Sequence, residues 1–347
     1  MKMLSIYIRN WITKYRGILS KHLIQFFLRH RYNNKALLHI FYFFFSLLER
    51  GRYVSGHNDA LHHYIPKFIL RKFAIPGTNG GQIFGYSKTG TSARMSVARE
   101  VACESNLYTF TEKDDKQRSS FIENQMFARM VEKYGSQILF RLWEYEDTDL
   151  TYLEGSILAI LVGYQLVRTP LFMEQIRLVL SFLHQERGVP VEDMVRQTFY
   201  RRAFIENEYN ITIEDFERFI QAPGARFITG GNTKNIQLTI MSQLGNYLSE
   251  VIYRKRLFLT RALVGTNFFM PDCGAVAFNS QVQQAMTPFL WNIKDRMGII
   301  ILPISPQLCV QYSNHPGLLM PPGLINSYLA LNVKTFAFSG ELTNPFS

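Results

Sequence analysis

Apolar positions divide the chain into a helical middle and strand-like segments on both sides of it. The segment Ile157–Val167 is apolar all round, which is typical of a helix buried at the centre of a domain. Thr151 and Glu154 precede it with the Thr-x-x-Glu spacing of a capping box, and Pro170 follows it. The sequence therefore predicts a central buried helix that begins near Thr151 and is broken at Pro170.

Capping signals and apolar spacing predict further helices around this central one. Ser120-x-x-Glu123 has the spacing of a second capping box, and it predicts a helix that runs to about Trp143. Apolar residues four apart predict a long helix that begins near Thr233. The remaining helices are predicted at Pro66–Phe73, Leu171–Gln185, Val191–Phe204 and Ile213–Gln221.

Short apolar runs bounded by Gly, Pro or Asn predict β-strands before and after the helices. The predicted strands are Gln82–Lys88, Leu257–Val264, Gly298–Pro303, Leu308–Tyr312 and Thr335–Phe338. Because helices fill the middle and strands come from both ends, we predict an α+β fold rather than a doubly wound parallel sheet. We expect residues 53–347 to form this fold as a single domain.

Charge separates residues 1–52 from the rest of the chain. This segment carries ten Lys/Arg and one acidic residue, whereas the remaining residues carry 28 basic and 26 acidic side chains. Its most apolar run, Ala36–Leu48, has 13 residues, fewer than the roughly 20 that cross a bilayer as a helix. We therefore interpret residues 1–52 as a basic, aromatic-rich N-terminal arm.

The composition of the arm leaves several partners open. Ile18–Arg31 mixes basic residues with apolar and aromatic ones, and such a mixture suits an anionic membrane surface. A basic segment can also dock on nucleic acid. The structural alternatives are a helical arm packed on its own domain, or a leader that adds nothing to the fold. These observations predict a cytoplasmic protein that can bind peripherally to a membrane.

The cysteines and the glycine-rich segment exclude two common kinds of site. Cys103, Cys273 and Cys309 are widely separated and form no Cys-x-x-Cys pair, which argues against a structural zinc site and fits reduced thiols. The run Gly77–Gly81 lacks the Lys-Ser/Thr ending of a phosphate-binding loop. We therefore predict no nucleotide site there.

Several motifs in chain order carry a resemblance to a known family. The segment His63–Phe73 resembles the His-Tyr-x-Pro-x-x-x-Leu-Arg-x-Phe signature that opens a large, mainly microbial family of domains of unknown function. Further segments are similar to later motifs of that family, namely Asn106–Tyr108, Ile122–Glu123, Gln165–Pro170 and Leu302–Pro306. The resemblance spans residues 57–312. It implies that the domain starts near His63, and it implies no known reaction.

One segment departs from the family's pattern. Where the family usually has Phe-Ile-Thr-Ser-Asp-Asn-Pro-Val, this chain has Phe-Phe-Met-Pro-Asp-Cys-Gly-Ala at residues 268–275. The aspartate remains as Asp272, but the two hydroxyl residues before it and the Asn-Pro pair after it are missing. A reactive centre built on this segment in relatives would therefore be altered here.

Four polar residues at the ends of predicted elements form the candidate site, and we predict that they share one pocket. His63 can act as a base or a metal ligand, and Glu123 with Asp272 can hold a divalent metal ion. Arg168 can stabilise negative charge on phosphate oxygens. This set suits a metal-assisted hydrolase or a nuclease-like enzyme.

Each of these residues also has a structural interpretation. Glu123 belongs to a capping box, and Asp272 lies in a Pro-Asp-Cys-Gly sequence typical of a β-turn. Arg168 suits the end of a helix, His63 can be a buried anchor, and the neighbouring His62 competes for any imidazole role. The alternative function is a non-catalytic binding or sensing module that holds a small anion or a peptide and docks on a membrane or nucleic acid through its basic arm. Both functions stay open at this point.

Overall fold

The computed structural model describes part of the chain, and all structural statements below refer to that part. The described residues are 61–90, 93–111, 118–119, 122–174, 176–177, 233–279, 284–285, 298–341 and 346. The N-terminal arm, Ser120 and the predicted helices Val191–Phe204 and Ile213–Gln221 lie outside these ranges, as does most of the predicted helix Leu171–Gln185.

The described elements are helices and short antiparallel strands. The helical elements are α1 (Lys67–Leu70), a 3-10 turn (Arg71–Phe73), a π-helical segment (Ile122–Glu132), α2 (Lys133–Tyr145), α3 (Tyr152–Gln165), α4 (Thr233–Tyr253), a 3-10 turn (Pro316–Leu318) and α5 (Pro322–Asn332). The strands are β1 (Leu61–His63), β2 (Gln82–Ser87), β3 (Ala93–Val97), β4 (Cys103–Ser105), β5 (Phe110–Thr111), β6 (Arg118–Ser119), β7 (Arg256–Arg261), β8 (Met270–Pro271), β9 (Val276–Asn279), β10 (Gln284–Ala285), β11 (Gly298–Pro303), β12 (Leu308–Ser313) and β13 (Phe336–Ser339).

These strands form antiparallel sheets, and the fold is α+β as the sequence predicts. A five-stranded sheet has the order β10-β9-β11-β12-β7, and a four-stranded sheet has the order β3-β2-β13-β8. Two further strand pairs join β1 to β4 and β5 to β6. In the four-stranded sheet, β13 pairs with β2 on one side and with β8 on the other. Strands from before and after the helices are therefore hydrogen-bonded in one sheet.

The centre of the five-stranded sheet is buried on both faces. All residues of β11 and β12 are buried, which explains why both strands read as nearly continuous apolar runs. One buried polar residue of β12 is Gln311, which donates to the hydroxyl of Thr260 at 2.7 Å and to the carbonyl of Met320 at 2.9 Å. Its own side-chain oxygen accepts from the Met320 N–H at 2.9 Å. The amide is satisfied, so its burial carries little cost.

Helix α3 lies in the core, as its all-round apolar sequence predicts. Leu158, Ala159, Leu161 and Val162 have no exposed surface. The capping box at its start is present, with the hydroxyl of Thr151 accepting from the Glu154 N–H and the Glu154 carboxylate accepting from the Thr151 N–H. The helix ends at Gln165, so the chain turns before it reaches Pro170.

Two glycines let α3 and α4 approach each other closely. A Cβ atom at Gly163 would lie 2.5 Å from Oγ of Ser249, and one at Gly245 would lie 2.6 Å from the ring of Tyr164. Across the same contact the Tyr164 hydroxyl lies 2.9 Å from Oδ1 of Asn246 and donates to it. Of the helices that the structure describes, none is both long enough and apolar enough to cross a lipid bilayer.

Candidate functional site

Strand β1 places two adjacent histidines in different surroundings. β1 pairs with β4 so that His63 lies opposite Cys103 and His62 opposite Glu104. Successive side chains of a strand point to opposite faces, so the two imidazoles are separated by the strand itself. Both are buried, with 1% and 4% of their surfaces exposed for His62 and His63.

His62 connects β1 to the segment that precedes β5. Its Nδ1 accepts the backbone N–H of Tyr108 at 2.8 Å, and its ring stacks on the Tyr108 ring with centroids 5.6 Å apart. Burial, with the positive charge of Lys234 nearby, lowers the pKa of His62 to about 4. The ring is therefore neutral at pH 7, and its basic nitrogen is occupied by a backbone donor. These contacts favour a structural role for His62.

His63 keeps its second ring nitrogen available. Its Nε2 lies 2.9 Å from the carbonyl oxygen of Arg99. A carbonyl accepts hydrogen bonds only, so Nε2 carries the proton and Nδ1 carries the lone pair in the neutral ring. Burial and the charges of Lys67 and Arg168 lower the pKa of His63 to about 4, although the bond to Arg99 opposes them. At pH 7 His63 is thus a neutral imidazole with an unprotonated Nδ1.

The side chain of Arg168 contacts several residues from different elements. Arg168 follows the turn at the end of α3, and its side chain is fully buried. Its Nε donates to the carbonyl of Tyr64 at 2.9 Å, and its Nη2 donates to the carbonyl of His63 at 2.5 Å. Nη2 also forms an ion pair with Glu132 at 3.0 Å, and the guanidinium lies 4.3 Å above the ring of Phe127. A buried cation needs such a partner to offset its desolvation.

Glu123 lies close enough to Arg168 for the two charges to interact, but no direct ion pair joins them. Burial, together with the negative charge of Glu132, raises the pKa of Glu123 to about 7 against the opposing charges of Arg168 and Lys67. Within the described residues, Oε2 of Glu123 and Nη1 of Arg168 are both buried and have no hydrogen-bond partner. An unsatisfied acceptor and an unsatisfied donor therefore occur in the same cluster, and such groups are uncommon in folded proteins.

Asp272 has a different position. Its Oδ1 accepts the N–H of Lys334 at 2.9 Å, and its Oδ2 accepts those of Thr335 at 2.7 Å and Phe336 at 3.0 Å. These bonds tie the end of β8 to the start of β13. Asp272 is not among the charges that act on Glu123. Arg168 thus binds the His63 carbonyl and its charge acts on Glu123, whereas the carboxylate of Asp272 accepts backbone N–H groups and its charge acts on Tyr64.

The metal site proposed from sequence finds little support in this arrangement. It needs Glu123 and Asp272 as joint ligands, but both oxygens of Asp272 already accept backbone N–H groups. The positive charges of Arg168 and Lys67 act on Glu123 and disfavour a cation there. In the described ranges, no three His, Cys, Asp or Glu side chains are grouped so that they could hold a metal ion.

Two charged residues of the cluster could not be recognised from the sequence. Lys67 occupies a variable position of the His63–Phe73 signature, and it is exposed. Glu132 lies nine positions after Glu123, a spacing that places two residues on opposite sides of an α-helix at about 100° per residue. We define the Arg168 site as His63, Lys67, Glu123, Glu132 and Arg168.

The family match begins at the first strand of this structure and covers the whole site. The family model described as Protein of unknown function (DUF4238) matches residues 61–317. The chain belongs to this family. Its membership confirms the predicted relation to a domain family of unknown function, and all five residues of the Arg168 site lie within the matched range. Searches of curated proteins and of solved structures found no match.

Proposed function

We propose that this DUF4238 domain is a binding module that holds a small oxyanion in the Arg168 site. The observation that carries the proposal is the pair of free donors on Nη1 of Arg168, which are buried without a partner in the described part of the chain. A guanidinium with two free N–H groups suits a carboxylate or phosphate oxygen. An anion there would satisfy donors that otherwise remain costly.

The charges around the site also favour an anion. Glu132 balances the charge of Arg168 through their ion pair. Lys67 adds a second positive charge that acts on both His63 and Glu123. Because the pKa of Glu123 is raised to about 7, this side chain is about half protonated near neutral pH. When Glu123 is protonated, the site carries one positive charge in excess.

Lys67 offers the cleanest test because it is exposed and Arg168 also holds the fold together. We expect Lys67→Ala to weaken binding of inorganic phosphate to the full-length protein about three- to fivefold, the effect of one solvent-exposed charge. Lys72→Ala is the matched control, because Lys72 pairs instead with Glu144 at 3.5 Å on the surface. Isothermal titration calorimetry at constant ionic strength measures both affinities. Equal losses in the two variants would contradict the proposal.

A hydrolase is the second candidate function, and one observation favours it. His63 presents an unprotonated Nδ1 because its Nε2 donates to Arg99, and Glu123 has a pKa near 7. A neutral imidazole and a protonated carboxyl are the partners that general base and general acid catalysis needs. Turnover of a simple phosphodiester by the full-length protein, lost in Glu123→Gln, would favour this enzyme over the binding module. Such turnover would not require Asp272.

A further inference from the structure

We propose that the Arg168 site selects hydrogen phosphate, an oxyanion that carries its own proton, over sulfate. The inference rests on the proposed function as an anion-binding module and names its ligand class. It follows from the balance of donors and acceptors around Arg168. A site made of donors alone would accept both anions, whereas this one also contains acceptors.

The acceptors are Glu123 and His63. Oε2 of Glu123 is buried and has no hydrogen-bond donor among the described residues. Nδ1 of His63 carries a lone pair because Nε2 is bonded to the Arg99 carbonyl. A ligand that contacts Oε2 of Glu123 must offer an O–H group, or it leaves this buried acceptor unsatisfied.

The donors are Arg168 and Lys67. Nη1 of Arg168 is buried without a partner in the described ranges. The ammonium of Lys67 acts on the Glu123 carboxylate. These groups match the unprotonated oxygens of an oxyanion. Hydrogen phosphate has both kinds of oxygen at neutral and mildly alkaline pH. Sulfate has only unprotonated oxygens at the same pH.

Sulfate can bind only if Glu123 supplies the missing proton. The groups that face Glu123 are Arg168 after α3, Lys67 on α1 and Glu132 on its own helix, and the carboxyl also acts on Tyr108 before β5. With these neighbours and its burial, the pKa of Glu123 is about 7. Below pH 7 the protonated carboxyl donates to either anion, and above pH 7 the carboxylate repels sulfate. At pH 8.5 the protonated fraction is about one in 30.

The test compares phosphate and sulfate by isothermal titration calorimetry on the full-length protein. At pH 8.5 we expect phosphate to bind about 30-fold more tightly than sulfate, and at pH 5.5 we expect the ratio to fall below about threefold. His62 and His63, with pKa values of about 4, stay largely neutral at both pH values, so their titration does not explain the change. This comparison needs no variant.

Glu123→Gln tests the same inference by replacing the ionisable carboxyl with an amide that stays neutral. The amide donates to either anion at any pH, so the ratio at pH 8.5 should fall at least tenfold compared with the unaltered protein. Circular dichroism checks that the variant is folded. Equal affinities for the two anions at pH 8.5, with phosphate binding still sensitive to Lys67→Ala, would overturn the selectivity and leave the binding module intact. If neither anion binds the unaltered protein at either pH, both proposals fail.

Discussion

Arg168 has a structural role, and we propose a binding role for the same side chain. A guanidinium has five N–H donors. Its Nε and Nη2 donate to the carbonyls of Tyr64 and His63 and to the Glu132 carboxylate. These bonds hold the end of β1 against the π-helical segment, and the donors on Nη1 remain for a ligand. Replacing Arg168 would therefore remove fold and site together, which is why Lys67 and Glu123 are better probes.

We expect Asp272 to stabilise the domain without taking part in the Arg168 site. Asp272→Ala removes an acceptor for three backbone N–H groups, so we expect a loss of about 1–3 kcal/mol in the free energy of unfolding. Urea denaturation measures it. Phosphate affinity of the folded variant should stay unchanged, because Asp272 is not among the charges that act on Glu123.

Asp149→Ala is the matched control for this substitution. Asp149 is exposed, and its backbone carbonyl rather than its carboxylate accepts from Arg141. We expect it to leave the stability within about 0.5 kcal/mol of the unaltered protein. Loss of phosphate binding in a folded Asp272→Ala protein would show that the aspartate belongs to the site, as predicted from the sequence.

At the level of elements, the π-helical winding of Ile122–Glu132 assembles the site. A π-helix bonds i to i+5 and advances by about 82° per residue instead of about 100°. Residues nine positions apart then return to nearly the same face, so Glu123 and Glu132 can both act on Arg168. In an α-helix the same two residues would lie about 180° apart. The wider turn also leaves Phe127 between them, under the guanidinium.

The contact between α3 and α4 allows a prediction at the level of elements. Gly163→Ala would place a Cβ 2.5 Å from Oγ and 2.8 Å from the backbone N of Ser249, so the helices must move apart. We expect a loss of about 1–3 kcal/mol. Gly155→Ala in the same helix is the control, because its nearest neighbour is Tyr253 at 3.5 Å, an ordinary contact.

Thermal and urea denaturation of both alanine variants check this prediction. Gly155→Ala should be neutral or slightly stabilising, since alanine favours a helix over glycine by about 1 kcal/mol. If Gly163→Ala proves as stable as Gly155→Ala, the close packing of α3 on α4 is wrong. A loss confined to Gly163→Ala supports it.

The elements that could be predicted from sequence are those with strong local signals. The capping box of α3, its apolar surface and the apolar runs of β11 and β12 are each decided within a few residues. The capping signal at Ser120 predicts an α-helix, whereas residues Ile122–Glu132 are π-helical. Apolar spacing does not distinguish a π-helix from an α-helix. Short strands such as β8, with two residues, carry no periodicity to detect.

The candidate site was predictable in its members more than in its arrangement. His63, Glu123 and Arg168 lie in segments with sequence signals, and in the structure Arg168 binds the His63 carbonyl and its charge acts on Glu123. Glu132 depends on the helical winding, and the place of Asp272 depends on pairing between β8 and β13, which are far apart in sequence. Long-range pairing and unusual winding are decided by the whole fold, so one sequence does not show them.

At the level of the whole molecule, strands from before and after the helical middle pair in one sheet. β2 precedes the helical middle, β13 follows it, and residues 336–339 pair with residues 84–87. The family match from residue 61 to 317 begins at β1 and ends before this final strand. The closing strand β13 therefore lies beyond the matched range, yet it anchors Asp272 and completes the four-stranded sheet.

The last prediction concerns residues 1–52, which precede the family match. We propose that this arm binds anionic membranes, because it holds ten basic residues and one acidic residue. The full-length protein should sediment with vesicles that contain an anionic lipid, and added salt should weaken the binding as screening shortens the range of the charges. A protein of residues 53–347 should remain folded by circular dichroism and lose vesicle binding. Equal binding to neutral vesicles would contradict the electrostatic proposal. If the full-length protein binds nucleic acid through residues 1–52 and does not bind vesicles, nucleic acid is the partner of the arm. Unfolding of the shortened protein would show instead that the arm contributes to the core, since the basic charge alone stabilises no fold.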